Sequence, residues 1–237
     1  MDIIQTTSRI PIVINNRNRL TTTKNMVEKL LALNEKEHII ILDNGSEYPT
    51  LLEWYDSLLA CHIKRKRVHV YFLPNLGHLA LWEIELQKLL GEFFVYTDSD
   101  IELNADFPDN WKEIMLTTIL ETGINKSALA IKVDDIPEHY ELKKQVIHNE
   151  SRWWQVEAKR DYYYADTDTT FFMMRNTWDN QFPSVRIAEK NMVCRHLPWY
   201  LDLSNLDEEE RYYLDRIDNK KLTQYTIQHK ESISKTV

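Results

Sequence analysis

Glycine is scarce in this 237-residue chain: there are four, Gly45, Gly77, Gly91 and Gly123. None follows the first apolar run, Ile10-Pro11-Ile12-Val13-Ile14, which ends instead in Asn15-Asn16-Arg17-Asn18-Arg19. A Gly-x-Gly-x-x-Gly dinucleotide turn and a phosphate-cradling P-loop both need glycine at that point. The two cysteines, Cys61 and Cys194, form no Cys-x-x-Cys pair and no disulfide framework, which argues against a structural zinc site. No apolar run is long enough to span a bilayer, and the first residues lack the basic start and apolar core of a signal peptide. Excess positive charge is absent too. The net charge of −8 argues against nucleic acid as a partner, which needs a basic surface. A cytoplasmic protein is expected. The one basic run, Lys64-Arg65-Lys66-Arg67, reads as a solvated turn compatible with peripheral contact at an anionic membrane.

What is present is a repeated alternation. Short runs rich in β-branched and aromatic residues predict buried strands over residues 10–14, 38–42, 68–73 and 93–98. Helical spacing predicts helices over 21–33, 49–61 and 78–90 between them. Four strands alternating with three helices give a parallel sheet with right-handed crossovers. Ligands of such sheets sit beyond the carboxyl ends of the strands. Asn15, Asp43, Asn75 and the trio Asp98, Ser99 and Asp100 are therefore expected around one crevice. Residues i and i+2 of a strand share a face, so Asp98 and Asp100 are placed to serve one hard cation through oxygen. Asp43 also reads as the start of an Asx-turn closing on Asn44-Gly45-Ser46.

The second half reads less regularly. Residues 111–121 predict a helix stopped by Gly123, and 127–133 a strand ending in Asp134-Asp135. Residues 138–154 read as helical or irregular and carry Trp153-Trp154. Residues 162–174 read as strand-like, 185–188 as a further strand, 207–217 as a helix with an acidic start, and 219–237 as a polar tail.

Three stretches in order resemble the GT-A glycosyltransferases, in particular their family 2-like members. They are Ile12-Val13-Ile14-Asn15-Asn16-Arg17-Asn18-Arg19, Ile39-Ile40-Ile41-Leu42-Asp43-Asn44-Gly45-Ser46 and Val95-Tyr96-Thr97-Asp98-Ser99-Asp100, and the likeness covers roughly residues 10–105. The resemblance implies an α/β, Rossmann-like, mostly parallel sheet flanked by helices, with a C-terminal acceptor-side extension. It implies one domain over 1–218: a nucleotide-sugar half over 1–105 and an acceptor half over 106–218. It implies a nucleotide-sugar donor, a UDP-sugar in the favoured case, and Mn²⁺ or Mg²⁺. Asn15, Asn16, Arg17, Asp43, Asn75, Asp98 and Ser99 would line the donor site. Asp98 and Asp100 would serve the metal, joined by His196 from Arg195-His196-Leu197-Pro198-Trp199-Tyr200. The acceptor would be a glycan, a lipid-linked group or a protein.

Asp166-Thr167-Asp168-Thr169-Thr170-Phe171-Phe172 resembles the acceptor-side segment of such enzymes. If the reaction inverts the anomeric centre, a carboxylate must take the acceptor's proton. Asp134, Asp135, Asp166 and Asp168 are the candidates. Asp168 is preferred and Asp166 next, both expected to be partly buried with carboxyl pKa values raised toward the working pH. The aromatics Trp153, Trp154, Tyr162, Tyr163 and Tyr164 suit either a hydrophobic core or a sugar-stacking platform. Three rivals compete. Asp166-Thr167-Asp168-Thr169-Thr170 satisfies a haloacid-dehalogenase-like pattern, but only 67 residues follow Thr170. A sugar-nucleotide nucleotidyltransferase would carry a Gly-rich first loop. A catalytically inactive glycan-binding protein would bind sugar without nucleotide or metal.

Overall fold

A computed structural model describes residues 3–62, 67–177, 183–189 and 191–217. Most of the basic run at 64–67 and the tail at 219–237 lie outside the described residues.

The strands are β1 (Ile12–Asn16), β2 (Ile39–Asn44), β3 (Val68–Leu73), β4 (Phe93–Asp98), β5 (Ile101–Leu103), β6 (Lys126–Ile131), β7 (Glu157–Lys159), β8 (Tyr162–Ala165), β9 (Phe171–Arg175), β10 (Ser184–Ile187) and β11 (Val193–His196). The helices are α1 (Ile3–Thr7), α2 (Thr21–Leu33), α3 (Pro49–His62), α4 (Ala80–Glu83), α5 (Trp111–Thr122), α6 (Lys143–Ser151) and α7 (Glu208–Asp215). The sheet runs β3-β2-β1-β4-β9-β6-β10-β8-β7, with β11 joining β5 to β6.

The core is the expected parallel unit. β1 pairs parallel with both β2 and β4, and β2 with β3. β2 is buried along its whole length, which suits a strand covered on both faces. Ile12, Ile14, Ile39 and Ile41 face the larger cluster, with Met26 and Leu30 of α2 and Leu51 and Tyr55 of α3. Val13, Ile40, Leu42, Phe94 and Tyr96 face the smaller one, with Ala80 and Leu81. α5 ends where expected: Gly123 adopts φ +68 and its N–H donates to Ile119 O at 3.0 Å.

Two expectations fail. Residues 78–90 are not one helix but the short α4 followed by a 3₁₀ turn over Leu86–Leu89, broken by Glu85 at φ +55. Residues 162–174 are not one strand either. β8 and β9 are separated by 166–170, because β9 leaves β8 to pair antiparallel with β4 and β6.

Beneath the sheet Lys112 and Glu37 form a buried ion pair, and Lys112 Nζ also donates to Ile10 O at 2.9 Å. Removing one partner leaves a buried charge uncompensated. Glu37→Ala should therefore lower unfolding stability by about 3–5 kcal/mol. Urea denaturation checks this, and a loss under about 1 kcal/mol would mean that water reaches Lys112.

Candidate functional site

Strand register builds the rim. Asn15 of β1 lies level with Asp98 of β4, and Asn16 with Asp43 of β2. The third exit is drawn in by Gly45, whose φ of +71 suits glycine. A Cβ there would stand 3.2 Å from Asn75 N. Asn44 ties these exits together. Its amide donates to Asn15 Oδ1, its own Oδ1 accepts from Leu76 N at 3.1 Å, and Asn15 Nδ2 donates to Gly77 O at 3.3 Å. The Ser99 N–H donates to Asn15 O at 3.0 Å.

Asp98 and Asp100 approach each other differently from the expected shared strand face. β4 ends at Asp98, and Asp100 sits in the turn before β5. They are nonetheless close enough to repel. Desolvation and then the Asp100 charge push the Asp98 carboxyl well above the ordinary range, while a hydrogen bond from Thr169 opposes this. That bond, Thr169 Oγ1 to Asp98 Oδ2, is 2.5 Å.

β5 brings His196 to the pair. Its three residues alternate buried, exposed, buried and pair antiparallel with β11, placing His196 opposite Ile101. Leu197 N donates to Asp100 O at 2.9 Å, and His196 Nε2 lies 3.8 Å from Asp100 Oδ1. Burial lowers the His196 imidazole below its usual value, so the neutral ring with a free lone pair is favoured. The end of β11 is locked by Asp135, which accepts from Arg195 Nε at 2.8 Å and Nη2 at 2.6 Å, from Tyr200 Oη at 2.6 Å and from Lys132 Nζ at 2.9 Å. These donors hold the Asp135 carboxyl far below the usual range. Such a committed carboxylate is unsuited to act as a base, which removes Asp135 from the candidates.

Among the described residues, no three His, Cys, Asp or Glu side chains form a ready cage for a metal ion. The donor chemistry still fits a hard cation. Asp98 and Asp100 lie within electrostatic reach of each other, the neutral His196 imidazole adjoins Asp100, and Asp100 Oδ1 and His196 Nδ1 are buried without a hydrogen bond.

Two further expectations change. Asp166 and Asp168 are exposed, not partly buried, because the carbonyls of their loop turn inward while the carboxylates point out. Asp168 remains within reach of the pair electrostatically, since its charge also raises the Asp98 carboxyl. Asp43 is not open to the rim. It is 1% exposed, and its Oδ1 accepts from Ser46 N at 2.8 Å, which is the Asx-turn. Its Oδ2 is buried without a hydrogen bond. Asn16 also turns inward, donating to Tyr55 Oη at 2.7 Å, while Arg17 Nη2 donates to Arg216 O at 3.1 Å. Tyr162 is core, Trp153, Trp154 and Tyr163 are half-buried, and Tyr164 is exposed.

The docking of α7 onto the exit of β1 is not legible in the sequence of α7 itself. Arg19 is buried between Glu210, Asp100 at 3.9 Å and the face of Tyr213 at 3.9 Å. Glu209 accepts from Thr21 N at 3.0 Å and caps α2. Tyr212 Oη donates to Glu47 O at 2.8 Å. Asn18, at φ +53, accepts from Glu47 N at 2.7 Å and Tyr48 N at 3.1 Å, orienting the entry to α3. The run of Asn and Arg after β1 was the only signal for any of this.

The model of the family described as Glycosyl transferase family 2 matches residues 12–177. Among solved structures, a mannosyltransferase from Pyrobaculum calidifontis in complex with GDP-Man and Mn²⁺ is similar over 96% of this chain and 64% of its own, with 9% identity and a TM-score of 0.54. GalNAc-T7 with UDP, GalNAc and Mn²⁺ is similar over 78% of this chain and 42% of its own, with 14% identity and a TM-score of 0.54. A putative BTB/POZ domain-containing protein of Acanthamoeba polyphaga mimivirus is 28% identical over 92 residues, 38% of this chain and 17% of that protein. The chain thus spans less than two thirds of each of these proteins. At these identities the two structures speak for the fold, a Rossmann-like GT-A sheet.

Proposed function

The chain belongs to glycosyl transferase family 2, and on that premise we propose that it moves a sugar from a nucleotide-sugar donor to a hydroxyl acceptor, with a divalent cation at Asp98 and Asp100. The observation that carries this reading is the pair Asp98 and Asp100 at the carboxyl end of the central strand β4, with His196 Nε2 3.8 Å from Asp100. Two carboxylates that repel each other at a sheet rim favour a positive partner. A bound Mn²⁺ or Mg²⁺ would neutralise charge on the donor's diphosphate as the bond to the sugar breaks. A UDP-sugar is the favoured donor, and a glycan, a lipid-linked group or a protein the acceptor.

The chain's own residues do the rest. Asp98, Asp100 and His196 hold the cation side of the diphosphate. Asn15, Asn75 and Ser99 shape the rim beside it, Arg17 is the candidate to meet the nucleoside, and Asn16 and Asp43, enclosed behind the rim, would back it, each with a buried oxygen that lacks a hydrogen bond. In an inverting reaction, the acceptor oxygen attacks the anomeric carbon and the carbon–oxygen bond to the diphosphate breaks. Asp168 takes the acceptor's proton, with Asp166 the next candidate, and the nucleoside diphosphate leaves. Exposure suits Asp168 to meeting an acceptor that arrives from solvent.

Incubation with UDP-glucose or GDP-mannose and Mn²⁺ tests this directly. Release of nucleoside diphosphate, to an acceptor or to water, is expected. Pyrophosphate release from a nucleoside triphosphate and a sugar phosphate would instead indicate a nucleotidyltransferase. Sugar binding with no turnover of any donor would indicate an inactive glycan-binding protein.

Asp43 has its own test. Asp43→Asn keeps an acceptor oxygen for the Ser46 turn and replaces the unpartnered oxygen with an amide. Melting temperature should stay close to wild type while donor affinity falls about tenfold, the value of one lost hydrogen bond to a charged group. An unchanged affinity would leave Asp43 a turn residue only.

A further inference from the structure

Two buried cations have no part in the chemistry above. Lys126 opens β6 and is 3% exposed; Arg186 lies in β10 and is 5% exposed. Both point at the backbone of the 166–170 loop. Lys126 Nζ donates to Thr167 O at 2.6 Å, with its ammonium 4.4 Å from the Phe172 ring centre. Arg186 donates to Asp166 O twice, from Nε at 3.0 Å and Nη2 at 2.7 Å. Its Nη1 is anchored on Glu150 at 2.5 Å.

The loop is fixed elsewhere as well. The Thr167 and Ser184 hydroxyls meet at 2.6 Å, and Ser184 Oγ also donates to Ala165 O. At the far end Asp98 N donates to Thr169 O at 3.0 Å and to Thr170 O at 3.2 Å. Side chains of β6 and β10 therefore take the carbonyls of 165, 166 and 167, while the end of β4 takes those of 169 and 170. Between them Asp168 stands exposed.

A surface loop can satisfy its carbonyls with water. Using two buried charges for this is expensive, since each must be desolvated. Burial does lower the Lys126 amine, to about 8, with Asp168 and Asp166 opposing the shift. Water would leave the loop free to move; a buried guanidinium fork and ammonium allow one backbone path. That path sets where Asp168 stands relative to Asp98.

We propose that Lys126 and Arg186 are positioning residues for Asp168, fixing the 166–170 backbone so that its carboxylate meets the acceptor at a set place beside the donor. This rests on the reading of Asp168 as the base. Neither cation touches donor or acceptor; both act through the carbonyls of 166 and 167.

The test uses Lys126→Met, which keeps the apolar stem, and Arg186→Lys, which keeps the charge but loses the fork and serves if the first variant fails to fold. The assay is release of nucleoside diphosphate from UDP-glucose and GDP-mannose with Mn²⁺, with water as acceptor. Turnover should fall about 10- to 100-fold, the scale of a reacting group displaced by about 1 Å. Affinity for UDP with Mn²⁺ should stay within about twofold, because no phosphate-side group is touched. Amide hydrogen exchange over 166–170 should rise. In an Asp168→Asn background, Lys126→Met should cause no further loss, since both changes remove one function. A further loss there of the same size as in wild type would overturn the proposal and make Lys126 a general stabiliser. So would wild-type turnover or unchanged exchange in both single variants. If Asp168→Asn itself retains wild-type turnover, the reading of Asp168 fails first and takes the proposal with it. If Asp168→Asn is impaired and the cation variants are not, the proposal alone fails.

Discussion

Asp168→Asn should lower turnover of the nucleotide-sugar by about 10²- to 10⁴-fold, the usual contribution of a general base. Asparagine keeps the shape and can still accept from Thr169 N, as Asp168 Oδ1 now does at 2.8 Å. Only the basicity is lost. Melting temperature and affinity for UDP with Mn²⁺ should therefore stay near wild type. The side chain is exposed, which removes the usual destabilising routes. A variant retaining most of its rate, or a product whose anomeric configuration matches the donor's, would take the proton-accepting role from Asp168. Asp166, on the same loop, would be the next to change.

Asp100→Ala should abolish metal-dependent nucleotide binding, a loss of about 100-fold or more if a cation ligand is removed. The fold should survive. Arg19 would lose a carboxylate at 3.9 Å but keep Glu210 and the face of Tyr213. The pairing of β5 with β11 runs through backbone and does not need the side chain. Asp98 should respond in a second, measurable way. Its carboxyl is raised first by desolvation and then by Asp100, so in the variant its pKa should drop toward the ordinary range. Titration of Asp98 by NMR checks this. A drop with unchanged UDP and Mn²⁺ binding would mean that the pair repels but binds no cation.

Most of residues 10–105 was legible in the sequence because its elements are local. β3 and β4 coincide with their predicted bounds, β1 and β2 lie within two residues of theirs, and α2 begins and ends at the predicted residues. Continuous β-branched and aromatic runs, helical spacing and strand-end carboxylates carry that information in a few adjacent residues. The rest depends on pairing across long separations. β5 is three residues long, too short to register as a strand, yet it carries His196 to Asp100 from the far end of the chain. The insertion of β9 beside β4 sets Thr169 and Asp168 next to Asp98, and no local pattern encodes which strand β9 will join. Burial of Asp166 and Asp168 was inferred from their aromatic neighbours. Tyr162, Phe171 and Phe172 are indeed buried, but of the five residues between the two strands Asp166 and Asp168 turn outward while Thr167, Thr169 and Thr170 are buried. Asp43 illustrates the converse. Both of its readings were open in the sequence, and the structure realises the turn while enclosing the second oxygen. α7 was recognisable as a helix with an acidic start, and Asp207 caps it at Glu210 N with 2.8 Å. Its docking through Glu209 and Glu210 onto the exit of β1 was not, because acidic residues in a first turn are ordinarily solvated there.

The measurement that bears most directly on the donor site is calorimetric titration of the wild-type chain with UDP and GDP, with and without Mn²⁺. Binding of at least one nucleotide in the micromolar range with Mn²⁺, weakened about tenfold or more by chelating the metal, is the predicted result. Nucleotide affinity that is the same with and without metal, or no binding of either nucleotide, would contradict a metal–diphosphate site at Asp98 and Asp100.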